Sequence, residues 1–484
     1  MTATSLNWQL GVIATLAIIL LRRFFRRKYG LDNLPGPVSP SWLTGNFLQL
    51  FNPYAWKFHE SIAKTYGSAV RIHGPFGANG LYIFDSKAMH TVLVKNQDIF
   101  EENDGFLLTN LLLFGDGLLS TLGHRHRKQR KMLTPVFSSA HMRDMIPTFF
   151  EVTHKLENGL KSRLQSGGPQ IQEVDILSWM GRTALELMGQ AGLGYSFDPL
   201  IKRRVCSPVQ SNYKRASSCP DTHAILEHEC FVVSYWICYL GRKLTIFGTW
   251  PIICTMWEMK SLRAKKLALE KGDEAVSQQI GRGKDLISIL MKENMKASDE
   301  DRLEDGEVLA QEIIEAKRQK DGQDLSYDEL VALPYLDAVC RETLAFVFPS
   351  SDCGPHCTSR CFPRGTVVMV SIFNANKNPD LWGKDADEWK PERWLSPLPD
   401  ALLEARIPGV YSHLMTFIGG GRSCIGFKFS QLEMKVVISV LVENFKFSPS
   451  ARDSEILWQM NGVTAPIVGK DNHPQLPIGI SLVD

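Results

Sequence analysis

The residues with the clearest chemical potential lie in the segment FIGGGRSCIG, residues 417–426. It combines three consecutive glycines with Arg422 and Cys424, and it leads directly into a helical pattern that begins near Phe427. A cysteine thiolate can ligate a metal, attack a substrate or carry electrons, and each use requires a lowered pKa. The start of a helix favours a thiolate, because unpaired N–H groups and the positive dipole end stabilise an anion there.

The neighbours of Cys424 narrow its chemistry. The glycines on both sides carry no side chain, so a flat and bulky group can approach the backbone. Arg422 adds a fixed cation that suits a carboxylate. No Cys-x-x-Cys motif lies nearby, which argues against a redox dithiol and a zinc ribbon. A single thiolate, steric clearance and a carboxylate clamp together describe an axial cysteine on haem iron.

The same segment resembles the cytochrome P450 signature Phe-x-x-Gly-x-Arg-x-Cys-x-Gly. Every fixed position matches, namely Phe417, Gly420, Arg422, Cys424 and Gly426. The resemblance implies haem b (iron protoporphyrin IX), with Cys424 as the axial ligand of the iron and Arg422 bonded to a propionate. It also implies that Phe417 lies beside the proximal face of the haem and shields the sulfur.

Two further segments carry the resemblance. RETL supplies the glutamate of the family's Glu-x-x-Arg helix as Glu342, and PERW resembles its Pro-Glu-Arg-Phe segment with Arg393. In the family this pair locks the core behind the haem.

The basic segment 124–131 resembles the Trp-x-x-x-Arg helix, with His126 at the tryptophan position and Arg130 at the arginine. The resemblance implies that both contact a propionate, whereas a solvated charged face is the plainer interpretation.

The pattern departs from the family at two places that matter for chemistry. Ala345 stands where Glu-x-x-Arg has its arginine, so Glu342 and Arg393 are each expected to lack one partner. Breaking a buried charged network in this way costs about 3–5 kcal/mol. The family's Ala/Gly-Gly-x-Asp/Glu-Thr-Thr motif, which relays protons to dioxygen, is missing, and its flanking segments join at Ala310 and Gln311. The central distal helix is therefore expected to be absent.

Eight of the ten cysteines fall within residues 206–254 and 353–361, where the resemblance lapses. This coincidence favours an altered reading frame or misjoined exons over selected metal sites. An intact transcript with the same junctions would contradict that interpretation. Zinc sites are the alternatives. The segment 353–361, with His356, has no standard zinc spacing, and the segment 219–230 offers Cys219, His223, His228 and Cys230.

The N-terminal 33 residues have a character of their own. An uncharged apolar run ends at Leu21 and is followed at once by five basic residues. A cleaved signal peptide has the opposite order, and the basic side should stay cytosolic. We expect a signal-anchor transmembrane helix in 1–33, inserted in membrane lipid, although so short a run is also compatible with a buried core helix. Together with the proline hinge it resembles the microsomal form of the family. That form implies a single-pass protein of the endoplasmic reticulum membrane whose body, 34–484, faces the cytosol.

The body is predicted to be mainly α with a small β portion, a cytochrome P450-like fold that is incomplete. Helices are expected at 55–67 and 124–133 and near Phe427–Phe445, strands at 69–74 and 80–85, and a loop at 104–123. The net charge of the whole chain is +2, and the N-terminal segment supplies more than all of it. The body thus has no strong basic excess, which argues against a nucleic-acid partner.

The predicted function is a haem-thiolate monooxygenase acting on a small lipophilic substrate. No glycine-rich dinucleotide fingerprint occurs in the chain, so electrons would come from NADPH through a separate NADPH–cytochrome P450 reductase. The candidates for the reductase contact are the cations of the basic helix, Arg125, Arg127, Lys128 and Lys131. The candidates for the substrate contact are the apolar residues of the 104–118 loop, Phe106, Leu108, Leu111 and Phe114. The alternatives are an inactive relic or mis-spliced product, and a haem-thiolate isomerase or dehydratase that needs no dioxygen.

Overall fold

The structure is a computed structural model, and the residues it describes leave out several segments of the chain. Described are 30–167, 171–198, 322–346, 365–461, 463–471 and 473–483, with the single positions 200, 313, 316, 317, 320, 356 and 357. The predicted junction at Ala310 and Gln311 and nearly all of both cysteine-rich segments lie outside the described residues. For His356 and Cys357 the backbone forms a short strand.

Of the predicted signal-anchor segment 1–33, residues 1–29 also lie outside the described part, and Gly30–Asn33 form a 3₁₀ turn. Within the part that is described, no helix combines the length and apolar character needed to cross a membrane. The prediction of a single-pass endoplasmic reticulum protein with a cytosol-facing body is corrected accordingly, because no spanning helix supports it.

Helices make up most of the described chain, as the sequence predicts. In chain order the α-helices are α1 Phe47–Leu50, α2 Trp56–Tyr66, α3 Ser86–His90, α4 Asp104–Phe114, α5 Gly123–Leu133, α6 Ser139–Gly167, α7 Ile176–Leu187, α8 Tyr327–Ala332, α9 Pro334–Phe346, α10 Ile372–Asn376, α11 Pro379–Trp382, α12 Asp400–Ala405 and α13 Phe427–Asn444. Short 3₁₀ turns occupy Gly30–Asn33, Pro75–Gly77, Thr134–Phe137, Pro391–Trp394, Gly420–Arg422 and Asp453–Glu455, and π-helical turns occupy Thr91–Lys95 and Met188–Leu193.

The strands form small sheets. They are β1 Ala69–His73, β2 Asn79–Ile83, β3 Phe100–Glu101, β4 Gln172–Asp175, β5 His356–Cys357, β6 Thr366–Val370, β7 Gly409–Tyr411, β8 Leu414–Gly419, β9 Phe445–Pro449, β10 Ile456–Asn461, β11 Val463–Val468 and β12 Pro477–Leu482. The largest sheet has the order β1-β2-β6-β5-β3, and its β2–β6 pair is parallel while the others are antiparallel. The remaining sheets are β4-β12-β9, β10-β11 and β7-β8.

Two hydrophobic clusters form the core. The first lies between the long helices α6 and α13, where the Phe149 and Phe429 rings meet edge to face at 4.9 Å. The second lies under the five-stranded sheet and includes Leu344, Ala345 and Met415. Helix α9 contributes to both, so it joins the helical part of the molecule to the sheet.

Most local predictions are confirmed. Helix α2 ends at Tyr66, before Gly67, whose φ of 84° terminates it. The predicted loop at 104–123 is wrong in its first half, because Asp104–Phe114 is helical. Asn103 starts that helix by accepting a hydrogen bond from the Phe106 N–H through its side chain at 2.8 Å. The run that follows contains no glycine between 106 and 114, so nothing interrupts the helix.

Candidate active site

The segment around Cys424, residues 417–426, runs from the end of a strand into a helix and is called the cysteine loop. Strand β8 ends at Gly419, the 3₁₀ turn Gly420–Arg422 follows, and α13 begins at Phe427. The Cys424 N–H donates to the Phe417 carbonyl at 2.9 Å, which closes the loop on itself. The Cys424 side chain is exposed. Its thiol is therefore accessible at the point where the strand turns into the helix.

Gly420 is required by the course of this loop. Its φ is 73°, in the left-handed region, and a Cβ built on it would lie 1.9 Å from the Leu93 carbonyl oxygen. A side chain would collide with the backbone of the neighbouring π-helical turn. Close approach of the two backbones is thus possible only with glycine.

Arg422 extends from the loop toward the start of α5. Its guanidinium donates to the carbonyl oxygens of Leu118 at 3.3 Å and Thr121 at 2.5 Å. Burial lowers its pKa, and the nearby carboxylates of Glu102 and Glu101 act in the opposite direction. Arginine stays protonated in any such environment, so the loop carries a fixed positive charge two residues from the cysteine.

Helix α5 brings a second guanidinium to the same place. Arg130 donates to the Ser423 carbonyl at 2.6 Å and to the Ser423 hydroxyl at 2.9 Å, immediately before Cys424 in the chain. His126 lies one turn earlier on the helix and is 6% exposed. Burial and the charges of Arg422, Arg130 and Arg127 lower its pKa to about 4. Its imidazole is therefore neutral at pH near 7 and can donate one hydrogen bond.

These groups surround one cavity of about 340 Å³. Its lining comes from the 92–102 region, from α5, from the end of β6 and from the cysteine loop. The lining residues are Val92, Leu93, Gln97, Asp98, Phe100, Glu101, Glu102, Leu122, Gly123, His126, Arg127, Arg130, Lys131, Thr134, Val370, Ile372, Ile418, Gly421 and Arg422. Cys424 is not among the lining residues and lies beside the cavity, two positions beyond Arg422. The cavity lining thus combines apolar side chains with several cations and carboxylates, and the exposed Cys424 follows the lining residue Arg422 by two positions.

Carboxylates on the 92–102 side of the cavity were not anticipated from the sequence. Burial raises the pKa of Glu102, and the positive charge of Arg422 opposes the shift. Gln97 accepts from the Gly421 N–H at 2.9 Å. The two adjacent acids at 101–102, just after a strand, were the available signal, but their distance in sequence from Arg422 hid the relationship.

The residues present fit a haem-thiolate group. A porphyrin with two carboxylates needs an anionic sulfur ligand and donors for those carboxylates. Cys424 would supply the sulfur, and Arg422, Arg130 and His126 would hold the carboxylates. Phe417 lies partly buried beside the loop, with its ring centroid 6.2 Å from those of both Tyr411 and Phe427. Gly426 has a φ of −88° and starts α13.

Glu342 and Arg393 lie together behind this loop. The Glu342 side chain is 1% exposed, and its Oε1 accepts from Arg393 Nε at 3.0 Å and from the Lys390 N–H at 2.8 Å. Its Oε2 accepts from the Trp394 indole N–H at 2.8 Å. Arg393 also donates to the carbonyl oxygens of Asp385 at 2.8 Å and Glu388 at 2.9 Å.

Position 345 offers no arginine to Glu342 and Arg393, but other groups supply their hydrogen bonds. Both carboxylate oxygens accept hydrogen bonds, and Arg393 donates to Glu342, to the carboxylate and the carbonyl of Asp385 and to the Glu388 carbonyl. Ala345 fills its position with a methyl group in the second hydrophobic cluster and is 6% exposed. Sequence reasoning missed Trp394, although a tryptophan at the family's phenylalanine position was the visible signal.

Comparison with known proteins places the chain in a family. The family model described as Cytochrome P450 matches residues 35–314 and 307–469. Cytochrome P450 monooxygenase 91 of Postia placenta is 40% identical, with 98% of this chain and 97% of that protein covered. Ganoderic acid synthetase of Ganoderma lucidum is 37% identical, with 91% and 92% covered. The chain belongs to the cytochrome P450 family of haem-thiolate enzymes, whose members act on a substrate with the help of a redox partner.

The comparisons also bear on the predicted gap in the centre of the chain. The similarity to the Postia placenta protein extends over 537 positions, more than the 484 residues present here, so that relative contains residues without a counterpart. The two matches to the family model overlap at residues 307–314, and the predicted junction at Ala310 and Gln311 falls within that overlap.

Proposed function

We propose that the chain is a haem-thiolate monooxygenase, with residues 34–484 as its haem-binding domain. Haem b would be held through iron by Cys424 and through its propionates by Arg422, Arg130 and His126. The observation that carries the proposal is the convergence of these donors on one cavity beside an exposed thiol. The cations come from two elements far apart in sequence, α5 and the cysteine loop, and Ser423 links them.

The haem, when bound, supplies the dioxygen and one-electron chemistry that no side chain provides. The overall reaction inserts one atom of dioxygen into a lipophilic substrate and reduces the other to water, with the electrons from NADPH and a proton. The protein's own residues fix the cofactor and its charge. Arg422 and Arg130 would neutralise the propionates, while the neutral His126 would add a hydrogen bond without further positive charge.

A separate NADPH–cytochrome P450 reductase would deliver the electrons. The basic side chains of α5 support a docking surface for it, because Arg127 and Arg125 are exposed and pair only with exposed carboxylates. Arg125 lies 2.8 Å from Asp116, and Arg127 lies 3.7 Å from Asp98. Exposed pairs of this kind contribute little and can exchange for carboxylates on a partner.

A small lipophilic substrate fits the composition of α4, which follows the acidic lining of the cavity. This helix is almost entirely apolar from Phe106 onward, and Leu111 and Leu112 are 42% and 52% exposed. Apolar side chains of this kind are typical of surfaces that contact apolar ligands.

A haem-thiolate isomerase or dehydratase is the second candidate. The sequence lacks the acid–alcohol motif that relays protons to dioxygen, and this favours a reaction that rearranges an already oxidised substrate. Such a reaction would use the same Cys424 ligand and the same propionate contacts. It would need neither the reductase nor dioxygen.

One series of measurements separates these functions. The purified protein is reconstituted with haem, reduced and exposed to carbon monoxide, and the red-shifted Soret band of a thiolate ligand is recorded. Oxygen consumption is then followed with NADPH, reductase and a panel of lipophiles. The band together with substrate-dependent consumption supports the monooxygenase. The band without any consumption favours the isomerase or dehydratase, and failure to bind haem contradicts both.

A further inference from the structure

One of the three donors to the buried carboxylate of Glu342 comes from a residue that is not part of the expected charged network. The backbone N–H of Lys390 and the Nε of Arg393 both donate to Oε1, while Oε2 accepts from the Trp394 indole N–H at 2.8 Å. Position 345 lies three residues along α9 from Glu342, so a long side chain there would share its face. Ala345 has no donor to offer. Without Trp394, Oε2 would be a buried acceptor without this bond.

We propose that Trp394 is a positioning residue that takes over the role of the missing arginine at 345, and thereby holds Glu342 and the cysteine loop in place. The inference deepens the proposed function, since the loop is the one that would bind haem. The alanine at 345 provides no donor to the carboxylate of Glu342, and the indole at 394 donates its N–H to Oε2 instead.

The surroundings of Trp394 hold the indole in the orientation that this bond needs. Its ring packs edge to face against Trp382, with centroids 5.2 Å apart and planes at 60°. The Arg341 guanidinium lies 5.6 Å from the centroid of the Trp394 ring and is itself paired with Asp337 at 2.5 Å. A phenylalanine would keep most of these ring contacts but has no N–H, so it isolates the hydrogen bond from the packing.

Hydrogen bonds connect helix α9, which carries Glu342, to the strand that leads into the cysteine loop. Leu344, two residues after Glu342 on α9, accepts through its carbonyl from the Thr416 hydroxyl at 2.7 Å. Asn376 donates to Thr416 Oγ1 at 2.8 Å and accepts from the Met415 N–H at 2.7 Å. Thr416 is the residue before Phe417, where the loop begins. Displacement of α9 would therefore move the strand that leads to Cys424.

The other side of the loop depends on the same helix. Lys435 of α13 is 1% exposed and donates to Asp337 of α9 at 2.7 Å. Strand β8 before Cys424 and helix α13 after it are thus both bonded to α9. The bonds of Glu342 fix α9 in turn to the turn Pro391–Trp394. Trp394 can therefore influence the cysteine ligand although it does not contact it.

The test compares Trp394→Phe with the double variant Trp394→Phe/Ala345→Arg and with Trp389→Phe as a matched control. Trp389 is 45% exposed, so the same chemical change there removes no buried donor. The full-length proteins are unfolded in urea without haem, and the share of red-shifted ferrous carbonyl complex is measured after reconstitution. We expect Trp394→Phe to lower the folding equilibrium constant about ten-fold and to reduce the red-shifted share. Ala345→Arg should restore both, and Trp389→Phe should change neither.

Two results would overturn the inference. If Trp394→Phe matched Trp389→Phe in both measurements, the indole N–H would have no positioning role. If Trp394→Phe caused the loss but Ala345→Arg did not restore it, the indole N–H would hold Glu342 but would not take the place of an arginine at 345. Should the wild-type protein bind no haem, the proposed function would fail, while the urea measurements would still decide on the exchange between 394 and 345.

Discussion

The N–H of Cys424 donates to the carbonyl of Phe417 at 2.9 Å. This bond joins the first and the last functional residues of the segment FIGGGRSCIG and forces the glycines between them to make the turn. The loop therefore presents the thiol at the beginning of α13, where the N–H groups of the helix are unpaired. Among its glycines, Gly420 is the one without which the turn cannot pass Leu93.

Replacement of Gly420 by alanine should disrupt the loop. The new Cβ would lie 1.9 Å from the Leu93 carbonyl oxygen, and the φ of 73° is itself unfavourable for alanine. We expect the free energy of unfolding to fall by more than about 2 kcal/mol and haem binding to be lost. Urea denaturation and the absorbance of the reconstituted protein measure the two effects.

Gly181 offers the matched control for that substitution. It lies within α7, and a Cβ built on it has no heavy atom within 4 Å. Gly181→Ala should leave haem binding unchanged and raise stability by up to about 1 kcal/mol. Equal losses in both variants would mean that the close approach to Leu93 does not constrain the loop.

Removal of the thiol should abolish the thiolate spectrum without unfolding the protein. Because the Cys424 side chain is exposed, Cys424→Ala should change the free energy of unfolding by no more than about 0.5 kcal/mol. The red-shifted band of the reduced carbonyl complex should disappear. Cys340→Ala is the control, since this buried cysteine lies on α9, and its pKa is raised to about 12 by burial. Retention of the band in Cys424→Ala would exclude Cys424 as the ligand.

Glu342→Ala should be among the most destabilising single substitutions in the described chain. It removes the acceptor of Arg393, Trp394 and the Lys390 N–H at one buried point. Loss of one partner of a buried ion pair costs about 3–5 kcal/mol. Chemical denaturation of the protein without haem measures the change.

The contrast with an exposed pair tests whether burial is the cause of that loss. Arg143 and Asp328 are paired at 2.7 Å, but their side chains are 50% and 66% exposed. Asp328→Ala should therefore cost less than about 1 kcal/mol. If Asp328→Ala and Glu342→Ala lowered the free energy of unfolding by similar amounts, burial would not be the cause of the larger loss expected for Glu342→Ala.

The cysteine loop could be predicted from the sequence because its function requires fixed residue types at fixed spacing. The same holds for helix α13, whose predicted start near Phe427 is confirmed. Each depends on neighbours within a few positions, so the sequence contains the whole signal.

Contacts between distant segments could not be predicted in the same way. Arg130 and Ser423 are separated by 293 positions, and Trp394 and Glu342 by 52. The motifs indicated which residues belong together but not how a substitution at one position is offset at another. The helix at Asp104–Phe114 was missed for a related reason, since flanking glycines suggested a loop and the cap at Asn103 was overlooked.

The stability of the protein without haem should depend on pH through His126. Its pKa is about 4 in the folded protein, below its ordinary value of 6.5, because of burial and three nearby arginines. The unfolded chain therefore takes up a proton more readily than the folded one below pH 6.5, and stability falls as the pH decreases from there toward 4. The loss from His126 should reach about 1 kcal/mol between pH 7 and pH 5.5.

His126→Gln should remove this part of the pH dependence, because glutamine keeps a neutral polar side chain at all these values. His124→Gln is the matched control, since His124 lies on the same helix but is exposed. Urea denaturation at several pH values gives the slope for each protein. If the slope of His126→Gln equalled that of the wild type, burial and the arginines around His126 would not lower the pKa of its imidazole.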